Sequence, residues 1–319
     1  MIRKIAQRFS LAILLVAGAA QTAFAGDSLT IGTAGTAGSY YSMGGAMAMQ
    51  LEQGMESVDR VTAQVTAGTI ENCRLLQAGE LDLALANASV VFQAVQGQGI
   101  FRKRLPKLRT LFWCHRSVNY LVTMKSAGYA SFKDLLGKRV AVGAPGSGTT
   151  SNVFALFKHH GLDVRKDIKP LFISTKEAID ALKDGRADGI FISGGIPMGS
   201  LKALSVIKEI RILPFPEEDL RALNATNPGI VKVIVPAGTY DGVDYDVVTM
   251  GVATTFIGSS DIPADRIKAV LGTLEAKMGW FGDNVHKSFR QYRFAPDVSQ
   301  IAPLHEGAVA YYRERGLMK

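Results

Sequence analysis

The sequence predicts an α/β protein of two lobes, on three observations. One order of elements occurs twice in the chain. Each copy carries a glycine-rich loop directly after its first apolar strand. Two long strand-like runs, at 111–123 and 247–257, stand where the chain has to pass between the copies.

In the first copy, a strand at 29–32 leads into the loop Gly32-Thr33-Ala34-Gly35-Thr36-Ala37-Gly38-Ser39-Tyr40-Tyr41 and a helix at 43–50. A strand at 61–66, a helix at 69–77 and an apolar strand at 83–86 follow. In the second copy, a strand at 140–143 leads into Gly143-Ala144-Pro145-Gly146-Ser147-Gly148-Thr149-Thr150-Ser151 and a helix at 152–160. Then come a strand at 171–174, a helix at 176–183 and an apolar strand at 189–192. Each copy is a β-α-β-α-β unit, which right-handed crossovers wind into a small parallel sheet covered by helices. Helices at 264–281, with Asp261 as N-cap, and at 303–315 end the chain and return to the first lobe. The expected division is 26–119 with 247–319 in lobe 1 and 120–246 in lobe 2, joined by a two-segment hinge.

Residues 1–25 have the form of a secretory signal. Arg3, Lys4 and Arg8 give a charged start, 9–20 an apolar core, and Ala23-Phe24-Ala25 a cleavage site. An apolar core of that length is too short to span a bilayer. Removing the segment takes three of the 36 basic residues and none of the 28 acidic ones, so the net charge falls from +8 to +5. That charge is mild and no basic run is interleaved with aromatics, so nucleic acid is not an expected partner. Cys73 and Cys114 lie 41 positions apart in an exported chain, where either a disulfide or two buried thiols is compatible with the sequence.

Ligands of parallel α/β sheets sit at the carboxyl ends of the strands. That rule selects Gly35, Thr36, Ser39, Tyr40 and Tyr41 in the first loop, Thr66 after the second strand and Asn87 after the third. In the second copy it selects Gly146, Ser147, Gly148, Thr149, Thr150, Ser174, Thr175, Ser193 and Gly194. Glycines admit a ligand close to backbone N–H groups, and a following helix N-terminus favours an anion. Nearly all the selected residues are neutral hydrogen-bonding groups, an inventory that suits a small polar anion. Thr149 stands where a nucleotide P-loop needs lysine, and the first loop lacks the dinucleotide glycine spacing, so no cofactor is expected. The histidines His115, His159, His160, His286 and His305 match no metal-binding helix pattern, Ser147 lacks the nucleophile-elbow context, and Glu217-Glu218-Asp219 read as the first turn of a helix. No catalytic constellation emerges, and the expectation is a binding protein, not an enzyme.

Several segments resemble the TAXI family, the TRAP-associated extracytoplasmic immunogenic proteins. They are Ile31-Gly32-Thr33 through Tyr40-Tyr41 and Gly44-Gly45, then Ala67-Gly68-Thr69-Ile70-Glu71-Asn72-Cys73-Arg74-Leu75-Leu76, then Gly79-Glu80-Leu81-Asp82-Leu83-Ala84, and the stretch from Gly137 through Thr149. The resemblance implies a two-lobed type II periplasmic binding protein, a monomer that closes on glutamate, glutamine or a related C4–C5 carboxylate. It implies delivery of that ligand to a TRAP permease with fused small and large subunits. Ala34, Ala37, Ser42, Met43 and Thr150 depart from the family's usual residues at or beside the expected cleft. A periplasmic sensor that presents its bound state to a signalling receptor is the alternative expected from the same fold.

Overall fold

A computed structural model describes residues 27–319; the expected signal segment, 1–25, lies outside the described residues. The first copy contains β1 (Ser28–Gly32), α1 (Ser39–Gly54), β2 (Arg60–Gln64), α2 (Thr69–Ala78) and β3 (Leu83–Asn87), followed by α3 (Ala88–Gln96) and the long β4 (Leu108–Met124). The second contains β5 (Arg139–Ala141), α4 (Gly148–His159), the single turn α5 (Val164–Asp167), β6 (Lys169–Leu171), α6 (Thr175–Lys183) and β7 (Gly189–Gly194). It is extended by α7 (Gly199–Ile207), β8 (Ile210–Leu213), α8 (Glu217–Thr226) and β9 (Ile230–Val235). The chain then runs through β10 (Val247–Ser259), α9 (Ala264–Ala276), α10 (Met278–Asn284) and α11 (Glu306–Glu314).

The ten strands of the described residues form one sheet, with β2-β1-β3-β10-β4-β7-β5-β6 as its path, β8 added beside β4 and β9 beside β10. The duplication is visible in that order. β1 lies between β2 and β3, and β5 between β6 and β7, all parallel within each triplet. The two triplets are joined by the antiparallel pair β4 and β10, which touch along nearly their full lengths, from Met250 opposite Asn119 to Ser259 opposite Leu108. β10 pairs with β3 through 254–258 and with β9 through 247–252, so one strand serves both halves of the molecule.

Side-chain alternation along the strands divides the interior into four clusters. In β3, Leu83 and Leu85 face the cluster built on Met43, Met47, Phe112, Phe256 and Leu271, whereas Ala84 and Ala86 face the one built on Ile70, Leu76, Val90 and Ile257. In β7, Ile190 and Ile192 join Tyr120 and Leu201, while Phe191 joins Phe157 and Phe215 on the opposite face. Cys73 belongs to one cluster of the first half and Cys114 to the other, on opposite faces of the sheet; both are buried free thiols, so the disulfide alternative does not hold. Burial pushes Cys73 up to about 12, so it stays a neutral apolar filler at any physiological pH.

Three local expectations change. The helix expected at 264–281 is two helices, because Lys277 leaves helical geometry (φ −104°, ψ 3°) two residues before Gly279, a poor helix former. Asp261 does not cap it: Pro263 holds the N-cap position, and the Asp261 carboxylate accepts from Lys107 Nζ at 2.6 Å. α11 begins at Glu306, not 303, because His305 Nδ1 accepts from Gly307 N at 3.0 Å and sets the cap there.

Candidate functional site

The carboxyl ends of β1, β2, β3, β5, β6 and β7 converge on a cleft of about 120 Å³ between the two halves of the sheet. Five helices begin at its walls. Gly38 and Ser39 open α1, Gly68 and Thr69 open α2, and Asn87 is the N-cap of α3. Ser147, Gly148 and Thr149 open α4, and Ser174 and Thr175 open α6. No charged side chain lines the cleft among the described residues, so its positive potential comes from helix dipoles and N–H groups alone.

The five N-termini are not equivalent. Ser147 accepts from Thr150 N, Asn87 from Ser89 N, and Ser174 forms a capping box with Glu177, so α4, α3 and α6 are capped by their own side chains. α2 is capped across the cleft: the Gly146 carbonyl accepts from Ile70 N at 2.9 Å and Glu71 N at 3.2 Å. α1 has no side-chain cap, and Gly38 precedes it in an extended conformation, so the first-turn N–H groups of that helix carry no side-chain acceptor.

The polar side chains on the cleft floor form a directional network. Thr149 Oγ1 and Ser193 Oγ lie 2.8 Å apart, and Ser193 Oγ donates to Asn119 Oδ1 at 2.6 Å. Asn152 Nδ2 donates to the same Oδ1 at 3.3 Å, and Asn87 Nδ2 donates to Asn152 Oδ1 at 3.4 Å. Asn87 Oδ1 is taken by Ser89 N and Ser89 Oγ. Every amide oxygen in this group is therefore occupied by a protein donor. Asn119 Nδ2, in a residue only 3% exposed, has no partner among the described residues. A buried amide hydrogen without an acceptor costs about 1–3 kcal/mol, a cost that an acceptor entering the cleft would remove.

Of the residues selected from the sequence, Gly35, Ser39, Tyr40, Thr66, Asn87, Ser147, Gly148, Thr149, Ser174, Thr175 and Ser193 line the cleft. Thr36, Tyr41, Gly146, Thr150 and Gly194 do not. Thr36 and Tyr41 are solvent-exposed, on the outer side of the loop and of the first turn of α1. Thr150 turns inward to donate to the Ala144 carbonyl at 2.8 Å, Gly146 is spent on α2, and Gly194 is paired with Val118 inside the sheet. Thr66 lines the cleft, but its hydroxyl is committed to the first half: it donates to the Thr33 carbonyl and Asn72 Oδ1 at 3.0 and 2.7 Å. Sequence reasoning misses Ser117, Asn119 and Asn152, which come from the crossing strand β4 and from inside α4. Ser117 and Asn119 are polar residues inside a strand-like run, and Asn152 ends the polar run that follows the second glycine loop; none stands at the carboxyl end of a strand of the repeated units. Two glycines are required by the backbone here: Gly68 has φ +116° with the Ser147 Cα 3.5 Å from a would-be Cβ, and Gly143 has φ +91° against the Ser147 hydroxyl.

Tyr40 closes one side of the cleft. Its ring edge meets His115, and its hydroxyl lies 3.1 Å from Thr254 Oγ1, which is 3.1 Å from Ser117 Oγ, itself 3.2 Å from His115 Nε2. Burial pushes Tyr40 up to about 12, so it faces the cleft as a neutral hydroxyl. His115 is fully buried, and desolvation, with the nearby His286 adding to it, pulls its pKa down to about 3. The folded state thus refuses a proton that the unfolded chain accepts near 6.5. This group costs nothing well above that pH, and stability is lost as pH falls from 6.5 towards 3. The loss is about 1.5 kcal/mol between about pH 6.5 and 5. Melting temperatures across that window are expected to fall more steeply for the native protein than for His115→Gln; equal slopes would assign the acid sensitivity to other groups.

Solved structures share the fold. The alkanesulfonate-binding protein SsuA from Xanthomonas axonopodis pv. citri, bound to MOPS, is 20% identical with a TM-score of 0.51, covering 91% of this chain and 83% of that one. The periplasmic aliphatic sulphonate binding protein SsuA from Escherichia coli is 16% identical with a TM-score of 0.50, covering 90% and 78%. A protein from Bordetella bronchiseptica RB50 is 18% identical with a TM-score of 0.54, covering 90% and 80%. The match to a protein family is at the level of sequence and spans both halves of the sheet, the cleft loops and the carboxyl-terminal helices: over residues 31–316 the chain belongs to the NMT1-like family.

Proposed function

We propose that the protein is a periplasmic solute receptor that closes on a small organic anion and hands it to a membrane permease. The observation that carries this reading is the polarity of the cleft. Its amide oxygens are occupied by protein donors, Asn119 Nδ2 is unpartnered among the described residues, the start of α1 is uncapped, and no charged side chain lines the described walls. Such a surface offers hydrogen atoms, and it complements carboxylate or another oxoanion. The lining residues include no nucleophile–base pair, which argues for binding in preference to catalysis.

The cleft's size supports a small ligand, since a cavity of about 150 Å³ holds benzene. The TAXI resemblance favours glutamate, glutamine or a related C4–C5 carboxylate, and a TRAP permease as partner. The two SsuA proteins, named for sulfonates, bring small sulfonates into the test panel as well. Tyr40, which lines the cleft, would cover the ligand's carbon chain in this reading, whereas Tyr41 is solvent-exposed.

Thermal unfolding of ligand-stripped protein tests the reading against glutamate, glutamine, 2-oxoglutarate, succinate, small sulfonates and neutral amino acids. A ligand at about a hundred times its dissociation constant adds roughly 2.7 kcal/mol and should raise the midpoint by several degrees. A shift with one or two anions and none with neutral solutes is expected. Stabilisation by neutral solutes alone would overturn the anion reading, and no shift at all would overturn the receptor reading.

A further inference from the structure

We propose that His159, His160 and Asp219 form a binding site for a divalent transition-metal ion, with zinc the best fit to the donor set. The site lies at the end of α4 opposite the solute cleft, about 16 Å along the helix axis from Gly148, and is independent of the solute reading.

Adjacent histidines on a helix point about 100° apart and do not ligate one ion. Here the helix stops between them. His159 is the last residue of α4, and His160 is its C-cap, with φ −87° and ψ 8°. Leaving the helix brings both Nε2 atoms to one carboxylate: His159 Nε2 lies 3.2 Å from Asp219 Oδ1 and His160 Nε2 2.9 Å from Asp219 Oδ2. The three potential ligand atoms all lie within 4.8 Å of one another.

Two imidazole nitrogens and a carboxylate oxygen are the donor set of an open tetrahedral zinc site, with water completing the fourth position. Donor atoms on one tetrahedral ion at about 2.0–2.1 Å sit roughly 3.3 Å apart. The two short contacts are to different oxygens of Asp219, so with one oxygen ligating one nitrogen–oxygen separation already suits the ion. The remaining separations, within 4.8 Å, narrow by at most about 1.5 Å, which side-chain rotation supplies. Asp219 is 5% exposed and belongs to the first turn of α8, so one ligand is fixed by burial; His160 is backed by Phe132, with ring centroids 4.7 Å apart. His159 is more open, which gives an ion a path in. In the metal-free protein each Nε2 hydrogen points to the carboxylate. The ion replaces those two hydrogens, and the imidazole hydrogens move to Nδ1.

The consequence is a clip between the end of α4, whose start forms the cleft wall, and the start of α8. The residue following α8, Asn227, accepts from Gln93 Nε2 of the other half at 2.6 Å. Metal would brace the second half of the molecule without touching the solute.

The test is calorimetric titration of zinc chloride into tag-free, chelator-treated protein at about pH 7.5, beside melting curves with and without the metal. One equivalent is expected to bind and to raise the melting temperature. Asp219→Asn and His160→Ala are each expected to weaken binding by about 100-fold or more, since loss of a supporting group alone costs roughly 10–100-fold. His159→Ala, at the more open position, is expected to lose the zinc response as well, and its metal-free unfolding transition shows whether the variant is folded when that response is read. Retention of the zinc response in His159→Ala and Asp219→Asn, or no saturable one-to-one binding by the native chain, would overturn the site and leave the cluster as a carboxylate held by two imidazole hydrogens.

Discussion

Asn119→Asp is expected to weaken anion binding by about a thousandfold, with a lower melting temperature because the new carboxylate is buried without a cationic partner. The substitution preserves volume and keeps the oxygen that accepts from Ser193 Oγ and Asn152 Nδ2. It exchanges the buried, unpartnered amide donor of the cleft for an anionic oxygen. Two like charges about 4 Å apart at a partly solvated site repel by roughly 4 kcal/mol, close to three powers of ten in affinity. Among the described residues no lysine or arginine lines the cleft to absorb the new charge. Titration of the best anion from the ligand panel into the native protein and the variant measures the ratio. A change under about tenfold would mean that Asn119 does not face the ligand's charge. Asn119→Ala separates the effects, because it removes the donor without adding charge and should cost far less than the carboxylate does.

The duplicated units are legible because each strand is a short apolar run and each connection ends in a glycine loop or a Gly-Asp type turn, signals that act locally. Two apolar runs of unusual length give the crossings, β4 and β10, for the same reason. What the sequence withholds is what tertiary contact decides. α3 follows β3 with no loop between them, and its cap, Asn87, reads in the sequence as a strand end. α7 and β8 are short apolar pieces whose helical or extended state depends on packing against Tyr120, Tyr240 and β4.

At the cleft, the strand-end rule selects the loops but cannot tell which face of a loop lines it. Tyr40 and Tyr41 are neighbours in the first turn of α1, and only the helix phase separates the ring that lines the cleft from the ring that meets solvent. Thr149 and Thr150 divide in the same way, one reaching Ser193 and the other folding back on the Ala144 carbonyl. Asn119 and Asn152 stay hidden because a polar residue in a buried strand or helix carries no positional signal until its partners are known. The histidine pair matches no helical ligand pattern, and that pattern does not apply where the helix ends between the two residues.

Gly148→Val is expected to weaken binding by about a hundredfold by blocking closure of the two halves. Gly148 opens α4 in one half of the molecule, and a Cβ at this position lies 3.3 Å from Asn87 Cβ, Asn87 Nδ2 and Thr69 Oγ1 in the other. A single methyl strains that approach by a few tenths of an ångström, and a branched side chain occupies the space itself. The approach exists only with the halves together, as do the Gly146 carbonyl's bonds to Ile70 and Glu71. The variant therefore penalises the closed form and spares the open one. A ligand stabilises closure only by its differential affinity for the two forms, and a closed state made about a hundredfold rarer lowers apparent affinity by the same factor. The ligand-free melting temperature should change little, since the first position of a helix tolerates valine and no interior volume is altered. Small-angle scattering supplies the second reading: the native protein should contract on adding the anion, and the variant should not. Native affinity in Gly148→Val, with contraction intact, would show that the approach of Gly148 to Asn87 and Thr69 is not what completes the site.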